Sequence, residues 1–151
     1  MFRGVQHINI DAKGRMAMPA KHRERLSKEC DGQLVATVDP QSQCLLVYPM
    51  PEWLEKERQV EALPSLNAGA RRFQRMFLGY AAELEFDGNG RVLIPASLRE
   101  MAHLEKKVVL AGQGKKFELW SEDLWLQERD KWLQDLGGDQ ELPDEMLSLS
   151  L

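Results

Sequence analysis

Two cysteines, Cys30 and Cys44, are too few to build a disulfide framework. With His7, His22 and His103 they show no metal-ligand spacing, so both thiols read as buried or incidental groups in a reducing cytosol, and no metal or other cofactor is expected. No run of about 18 apolar residues occurs, which leaves nothing to span a membrane. The opening Met1-Phe2-Arg3-Gly4 has no apolar stretch, so no secretory leader is visible. Catalytic signatures are missing too: there is no Gly-x-Ser-x-Gly elbow, no His-Glu-x-x-His pair and no Walker loop. Gly88-Asn89-Gly90 and Gly112-Gln113-Gly114-Lys115-Lys116 fall short of a phosphate fingerprint and sit where tight turns need glycine. The histidines are isolated, so no nucleophile–base pair exists, no catalytic residue is assigned, and the chain does not read as an enzyme.

What the chain does have is a repeat. Asp11-Ala12-Lys13-Gly14-Arg15, followed by Met16-Ala17-Met18-Pro19, returns as Asp87-Gly88-Asn89-Gly90-Arg91 followed by Val92-Leu93-Ile94-Pro95. One offset of 76 positions carries Asp11 onto Asp87, Gly14 onto Gly90, Arg15 onto Arg91, Pro19 onto Pro95 and Arg23 onto Arg99. Each copy reads as a tight β-hairpin. His7-Ile8-Asn9-Ile10 and Glu83-Leu84-Glu85-Phe86 alternate polar and apolar before the turn; Met16 and Met18, or Val92 and Ile94, hold the apolar face after it. Gly14 and Gly90 supply the positive φ of a short turn, and the proline closes the second strand. The Asp and Arg, four apart, meet across the mouth of the turn. For Asp87 and Arg91 a plain turn-stabilising salt bridge is as good a reading as a functional one.

Net charge of −4 argues weakly against a nucleic-acid binder, but the charge is unevenly spread. Residues 1–28 hold seven Lys/Arg against Asp11 and Glu24, or +5, while Trp120 to Leu151 hold nine Asp/Glu against Arg129 and Lys131, or −7. That asymmetry points to a basic binding face with an acidic flank. Lys13, Gly14 and Arg15 lie at a hairpin tip, Arg3 on the approaching strand, and Lys21, Arg23 and Arg25 just beyond. A two-stranded ribbon fits a major groove, where arginine bonds guanine through both O6 and N7. Gly14 would let the backbone approach phosphate closely. The copy instead carries Glu83, Glu85 and Asp87 outward, and Lys13 has become Asn89. Phosphate repels such a row, so base reading is assigned to the first hairpin and structure or subunit contact to the second. A solvated basic face is the competing reading of the first.

The remaining elements follow in order. Ala20 to Leu26 reads as a helix opening after Pro19; Gln33 to Val38 and Cys44 to Tyr48 read as strands around Asp39-Pro40. Pro51-Glu52-Trp53 opens a helix that Pro64-Ser65 breaks. The next helix carries Phe73, Met76 and Phe77 on one stripe and Arg71, Arg72 and Arg75 on another. Those arginines read as a solvated face or partners for carboxylates, with phosphate contact the other possibility. Lys107 to Ala111 and Lys116 to Trp120 are the second half's strands, and Tyr48…Trp53 is matched by Trp120…Trp125. After Trp125 come an amphipathic helix with Trp132 and Leu133, a Gly137-Gly138 break and a loosely held acidic tail from Asp139 to Leu151.

Met1-Phe2-Arg3-Gly4, the doubled Asp-x-x-Gly-Arg-x-x-x-Pro, Trp53, Arg71-Arg72-x-x-Arg75 and Lys116-Phe117-Glu118-Leu119-Trp120 together resemble the MraZ family, which is related to the AbrB-like swapped-hairpin proteins. The resemblance covers essentially the whole chain. It implies an α+β fold: a pseudo-twofold swapped-hairpin β-barrel built from two duplicated halves, residues 1–76 and 77–151, with flanking helices. It implies a cytoplasmic, nucleoid-associated repressor of the division and cell-wall gene cluster, binding direct repeats in double-stranded DNA upstream of the promoter as a ring-shaped homo-oligomer. On that reading Arg3, Lys13, Gly14, Arg15, Lys21 and Arg23 meet DNA, while Asp11, Asp87, Gly90 and Arg91 support the motif. A ring needs a head-to-tail contact between unlike surfaces, which the two halves could supply. Two other readings stand beside it: a non-catalytic assembly scaffold, and an antitoxin-like protein that binds a partner.

Overall fold

Strands whose residues are apolar without alternation need cover on both faces, and the fold is arranged to give it. The computed structural model describes residues 1–136 and 142–151. The expected Gly137-Gly138 break and the beginning of the acidic tail, Asp139 to Glu141, lie outside the described residues. In the first half come β1 (Val5–Asn9), β2 (Arg15–Ala17), α1 (Ala20–Cys30), β3 (Leu34–Val38), β4 (Leu45–Pro49), α2 (Met50–Glu61) and α3 (Ala68–Phe77). In the second come β5 (Ala82–Leu84), β6 (Arg91–Leu93), α4 (Ala96–Met101), β7 (Lys107–Gly112), β8 (Phe117–Ser121), α5 (Glu122–Asp135) and the short α6 (Asp144–Leu147).

Six strands form one antiparallel sheet in the order β1-β7-β8-β4-β3-β5, and β2 pairs with β6 in a separate ribbon. Every residue of β3 and β4 is buried. One face of this pair, with Leu34, Ala36, Val38, Leu45 and Val47, enters the main core beside Met16, Met18, Leu26, Val92, Ile94 and Leu98. The opposite face, with Val35, Leu46 and Tyr48, packs under α2 and α3 through Trp53, Val60 and Phe77. The second half repeats the scheme: Val108 and Leu110 join the main core, while Val109, Ala111 and Trp120 pack under Trp125 of α5. Tyr48 and Trp53 have ring centroids 5.9 Å apart, and so do Trp120 and Trp125. The repeat therefore extends past the strands into the helix after each half.

Two expectations need correction. The residues flanking each turn do form strands, but those strands do not pair with each other along a hairpin ladder. After the turn, only Ile10 and Met16 bridge; β1 then pairs with β7 (His7 opposite Val109), and β2 pairs with β6 (Met16 opposite Val92). In the copy, β5 pairs with β3 (Val35 opposite Glu83). A lone two-stranded hairpin has no means of covering its apolar face and is marginal in water. Parting after one bridge lets Met16, Met18, Val92 and Ile94 meet in one core, each no more than 1% exposed. The second correction concerns closure. Strand pairing yields an open six-stranded sheet with β1 and β5 at its edges, not a closed barrel. The α+β class and the duplication stand.

Helix boundaries follow local chemistry. Pro19, Pro49 and Pro95 each precede the first turn of α1, α2 and α4, where a missing N–H costs nothing. Asn67 caps α3 by accepting the Ala70 N–H at 3.0 Å, and Ser121 caps α5 through the Leu124 N–H. The sequence places the last long helix after Trp125, but with Ser121 as its cap α5 begins at Glu122 and takes Trp125 into its buried face. Residues 142–151 are exposed throughout. Among the described residues no helix is long and apolar enough to cross a membrane.

Candidate nucleic-acid interface

The two Asp-x-x-Gly-Arg segments fold into the same turn. Asp11 Oδ1 accepts the backbone N–H groups of Lys13 and Arg15, both at 2.9 Å, and Asp87 Oδ1 accepts those of Asn89 and Arg91 at 2.8 and 3.0 Å. An aspartate side chain folding the backbone two residues on is the mechanism that favours Asp at such positions. The Gly14 N–H donates to Asp11 O at 3.0 Å, with φ of +89° at the glycine; Gly90 repeats this at 3.1 Å with φ of +74°. Arg15 Nε donates to Asp11 Oδ2 at 2.8 Å, and Arg91 Nε lies 3.4 Å from Asp87 Oδ2. The Asp–Arg pair expected across each turn mouth is therefore present in both copies. Backbone donation from Arg15, opposed by desolvation and reinforced by the Arg15 side chain and the Lys13 amide, holds the Asp11 carboxyl below its ordinary 3.8. Asp87 is lowered by the Arg91 amide first, opposed by desolvation and reinforced by the Asn89 amide and by the charges of Arg91 and Arg15.

The turns are side by side. Residues 15–17 pair with 91–93, Ile94 N–H donates to Gly14 O at 2.8 Å, and Met18 N–H donates to Gly90 O at 3.3 Å. Arg91 also crosses over, its Nη1 3.5 Å from Asp11 Oδ2. Asp11 thus bears on both motif arginines. Arg15 is engaged through Nε alone among the described hydrogen bonds, so its two Nη groups keep their donors free for an external acceptor.

Of the other residues expected to meet DNA, Lys13, Arg3 and Lys21 are exposed. Lys21 Nζ lies 3.5 Å from where a Cβ would stand on Gly4, the residue after Arg3. Arg23 is placed differently. Its Nη1 donates to Met18 O at 3.0 Å, and a Cβ added at Gly90 would stand 2.7 Å from the same nitrogen. Gly14 is buried, and the space left by its missing side chain is taken by Arg99, whose Cζ would lie 2.8 Å from an added Cβ. That space is filled from within. The outward carboxylates of the copy are where the alternation puts them: Glu83 and Glu85 are exposed, as are their counterparts His7 and Asn9 in the first half. His7 Nδ1 sits 3.2 Å from Glu122 Oε2, a surface pair. Arg71, Arg72 and Arg75 are exposed.

Two groupings were invisible to spacing. Arg99 was legible only as a mark of the repeat, and nothing local announces a contact with a glycine 85 positions earlier. Asp39, Cys44 and Glu118 bring three potential metal donors within 4.8 Å of one another, across strands from both halves. Burial pushes the Cys44 thiol up, Glu118 and Asp39 add to the shift, and the thiol donates to Asp39 Oδ2 at 3.7 Å. A protonated thiol bonded to a carboxylate closes the β3–β4 turn.

Comparison with known proteins gives one answer. The family model described as "MraZ protein, putative antitoxin-like" matches residues 1–76 and again 76–136. "Transcriptional regulator MraZ" of Halorhodospira halophila is 56% identical over 152 residues, covering all of both chains. The proteins of the same name from Alkalilimnicola ehrlichii and Saccharophagus degradans are each 53% identical over 151 residues, again over the full length of both chains. These relatives are named as regulators of transcription, not as enzymes. The doubled turn, the repeated match and full-length identity above half lead to one placement: the chain belongs to the MraZ family.

Proposed function

We propose that this chain is a sequence-specific regulator of transcription that binds double-stranded DNA through the turn at Lys13-Gly14-Arg15, acting as a repressor at direct repeats upstream of a division and cell-wall gene cluster. The relatives named as transcriptional regulators support the class. The observation that carries the site is the braced arginine: Asp11 holds Arg15 by Nε and leaves the two-pronged Nη end without a hydrogen bond among the described residues. A guanidinium held this way loses little freedom when it grips a guanine edge. Lys13, Arg3 and Lys21 would add phosphate contacts around it, and the Glu83–Glu85 row would keep the second half off the backbone. Each half, 1–76 and 77–151, supplies one turn-and-helix unit of a swapped-hairpin arrangement, and subunits assemble into a ring. A ring sums weak single-turn contacts over adjacent repeats. The protein would work in the cytoplasm, on the nucleoid.

A mobility shift with the DNA upstream of its own gene cluster, run at two salt concentrations, tests this. Arg15→Ala should cost about 1–3 kcal/mol per subunit and relax base preference. An Arg15→Ala protein that remains assembled and binds the repeats as tightly as the wild type would sink the assignment. The antitoxin-like wording of the family description favours one other outcome, a stable complex with an unrelated protein and no salt-dependent retention of DNA.

A further inference from the structure

We infer that Arg99 is a positioning residue for the turn at Lys13-Gly14-Arg15, and that Arg23 does the same for the turn at Asn89-Gly90-Arg91, so that each half's turn is clamped by an arginine of the other half. As a statement about recognition, this rests on the DNA-binding role proposed for the first turn. The geometry is specific. An added Cβ at Gly14 would lie 2.8 Å from Arg99 Nε, 2.8 Å from Cζ and 3.0 Å from Nη2. The central carbon is no farther than the nitrogens, so the glycine meets the face of the guanidinium, not its edge. Arg99 Nε donates to Ile94 O at 3.0 Å, and the N–H of that same Ile94 donates to Gly14 O at 2.8 Å. Guanidinium, Ile94 and Gly14 thus close a small ring of contacts across the two halves. A related arrangement holds at the other turn, with a different part of the side chain nearest the glycine: an added Cβ at Gly90 would lie 2.7, 2.8 and 2.9 Å from Arg23 Nη1, Cδ and Cζ, Arg23 Nη1 donates to Met18 O at 3.0 Å, and Met18 N–H donates to Gly90 O at 3.3 Å.

Chemistry narrows the choice of residue at these positions. The positive φ of Gly14 and Gly90 turns a bare Cα toward a flat partner, and only a planar group can lie against it while one nitrogen still reaches a carbonyl. Lysine keeps the charge and the apolar stem but has no plane. Neither Arg23 nor Arg99 forms an ion pair with a carboxylate among the described residues. Their equivalent placement against the glycine of the other half's turn is therefore not the by-product of a salt bridge. The clamp sets how far Lys13 and Arg15 stand from the ribbon and at what angle, without touching DNA itself.

Arg99→Lys and Arg99→Gln, with Arg23→Lys as the reciprocal control, test the assignment. Amide hydrogen exchange at Gly14 should quicken about tenfold in both Arg99 variants while Gly90 is unchanged, and the pattern should reverse in Arg23→Lys. Preference for upstream over scrambled DNA should fall roughly tenfold in the Arg99 variants, with the dependence of binding on salt unaltered. A salt slope reduced by about 0.9 in Arg99→Gln, and restored in Arg99→Lys, would make Arg99 a phosphate contact and overturn the clamp. Equal quickening at both glycines, with DNA preference intact, would make it a general prop and overturn it likewise. Should the wild type itself fail to prefer upstream DNA, the proposed function falls, while the contrast between Gly14 and Gly90 exchange still decides the clamp.

Discussion

His22 shows how one side chain ties the basic face to the core. It stands in α1 between Lys21 and Arg23, yet it is only 5% exposed, with its ring 4.9 Å from Phe117 and 5.8 Å from Phe2 in edge-on contacts. Arg25 lies 4.7 Å over the Phe2 ring and donates to Met1 O, so the amino terminus is pinned against the same ring cluster. Nε2 of His22 is buried without a hydrogen-bond partner. Desolvation, helped by the Lys21 charge, pushes its pKa below the ordinary 6.5. The sign follows: the unfolded chain takes up the proton first as pH falls, so this residue's share of stability is present above about pH 6.5 and drains away below it, down to the lowered folded value. Thermal melts between about pH 7.5 and 5.5 should therefore show a declining midpoint, and His22→Phe should flatten that decline. An unchanged slope in His22→Phe would assign the acid sensitivity elsewhere. The Asp-x-x-Gly-Arg turns were legible residue by residue because turn chemistry is local: the aspartate bonds amides two and four positions on, and glycine takes the positive φ. The Arg99–Gly14 and Arg91–Asp11 contacts were not, because they join residues that only the assembled fold brings together.

At the scale of elements, periodicity identified the strands and their faces but not their partners. Alternation in residues 7–10 says which side chains go inward; it is silent on whether β1 lies beside β2 or β7. The helices were easier, since proline starts and the aromatic stripe of α3 are read directly from the sequence. That stripe is what fixes α3: Phe77 stacks on Trp53 at 5.1 Å and on Phe73 at 5.7 Å, and Thr37 Oγ1 donates to Phe77 O at 2.6 Å to tie the helix end to β3. Tyr48 closes the cluster from β4, its hydroxyl pKa pushed up to about 12 by burial and by Asp39. Packing should outweigh capping here. Phe77→Ala removes three aromatic contacts and should cost about 3–5 kcal/mol, whereas Asn67→Ala loses one cap bond and should cost about 1 kcal/mol. Urea unfolding at fixed protein concentration measures both. Equal costs would mean that α3 is held by its N-terminus and not by its apolar stripe.

For the molecule as a whole, the strand order makes a strong demand on the halves. β1 depends on β7, β5 on β3, and β2 on β6, while β4 and β8 join through Leu45 opposite Leu119 at the middle of the sheet. Neither half holds its own first strand, so residues 1–76 alone would keep β3 and β4 paired but leave β1 and β2 without partners and half of the main core exposed to water. Because the halves are copies, a second molecule of the same fragment offers near-equivalents of what is missing: its β3 in place of β7 and its β2 in place of β6. The isolated 1–76 fragment is therefore expected to be largely unfolded as a monomer and to gain structure only by pairing with itself, so its melting midpoint should climb with concentration. Added in equal amount, residues 77–151 should displace that self-pair, since Val92 and Ile94 are the native complements of Met16 and Met18 in the core. Sedimentation combined with circular dichroism reads both steps. A 1–76 fragment that stays monomeric and melts cooperatively at a concentration-independent temperature would show that the halves are independent units, and the reading of one interlocked core, along with clamps that reach from half to half, would have to be abandoned.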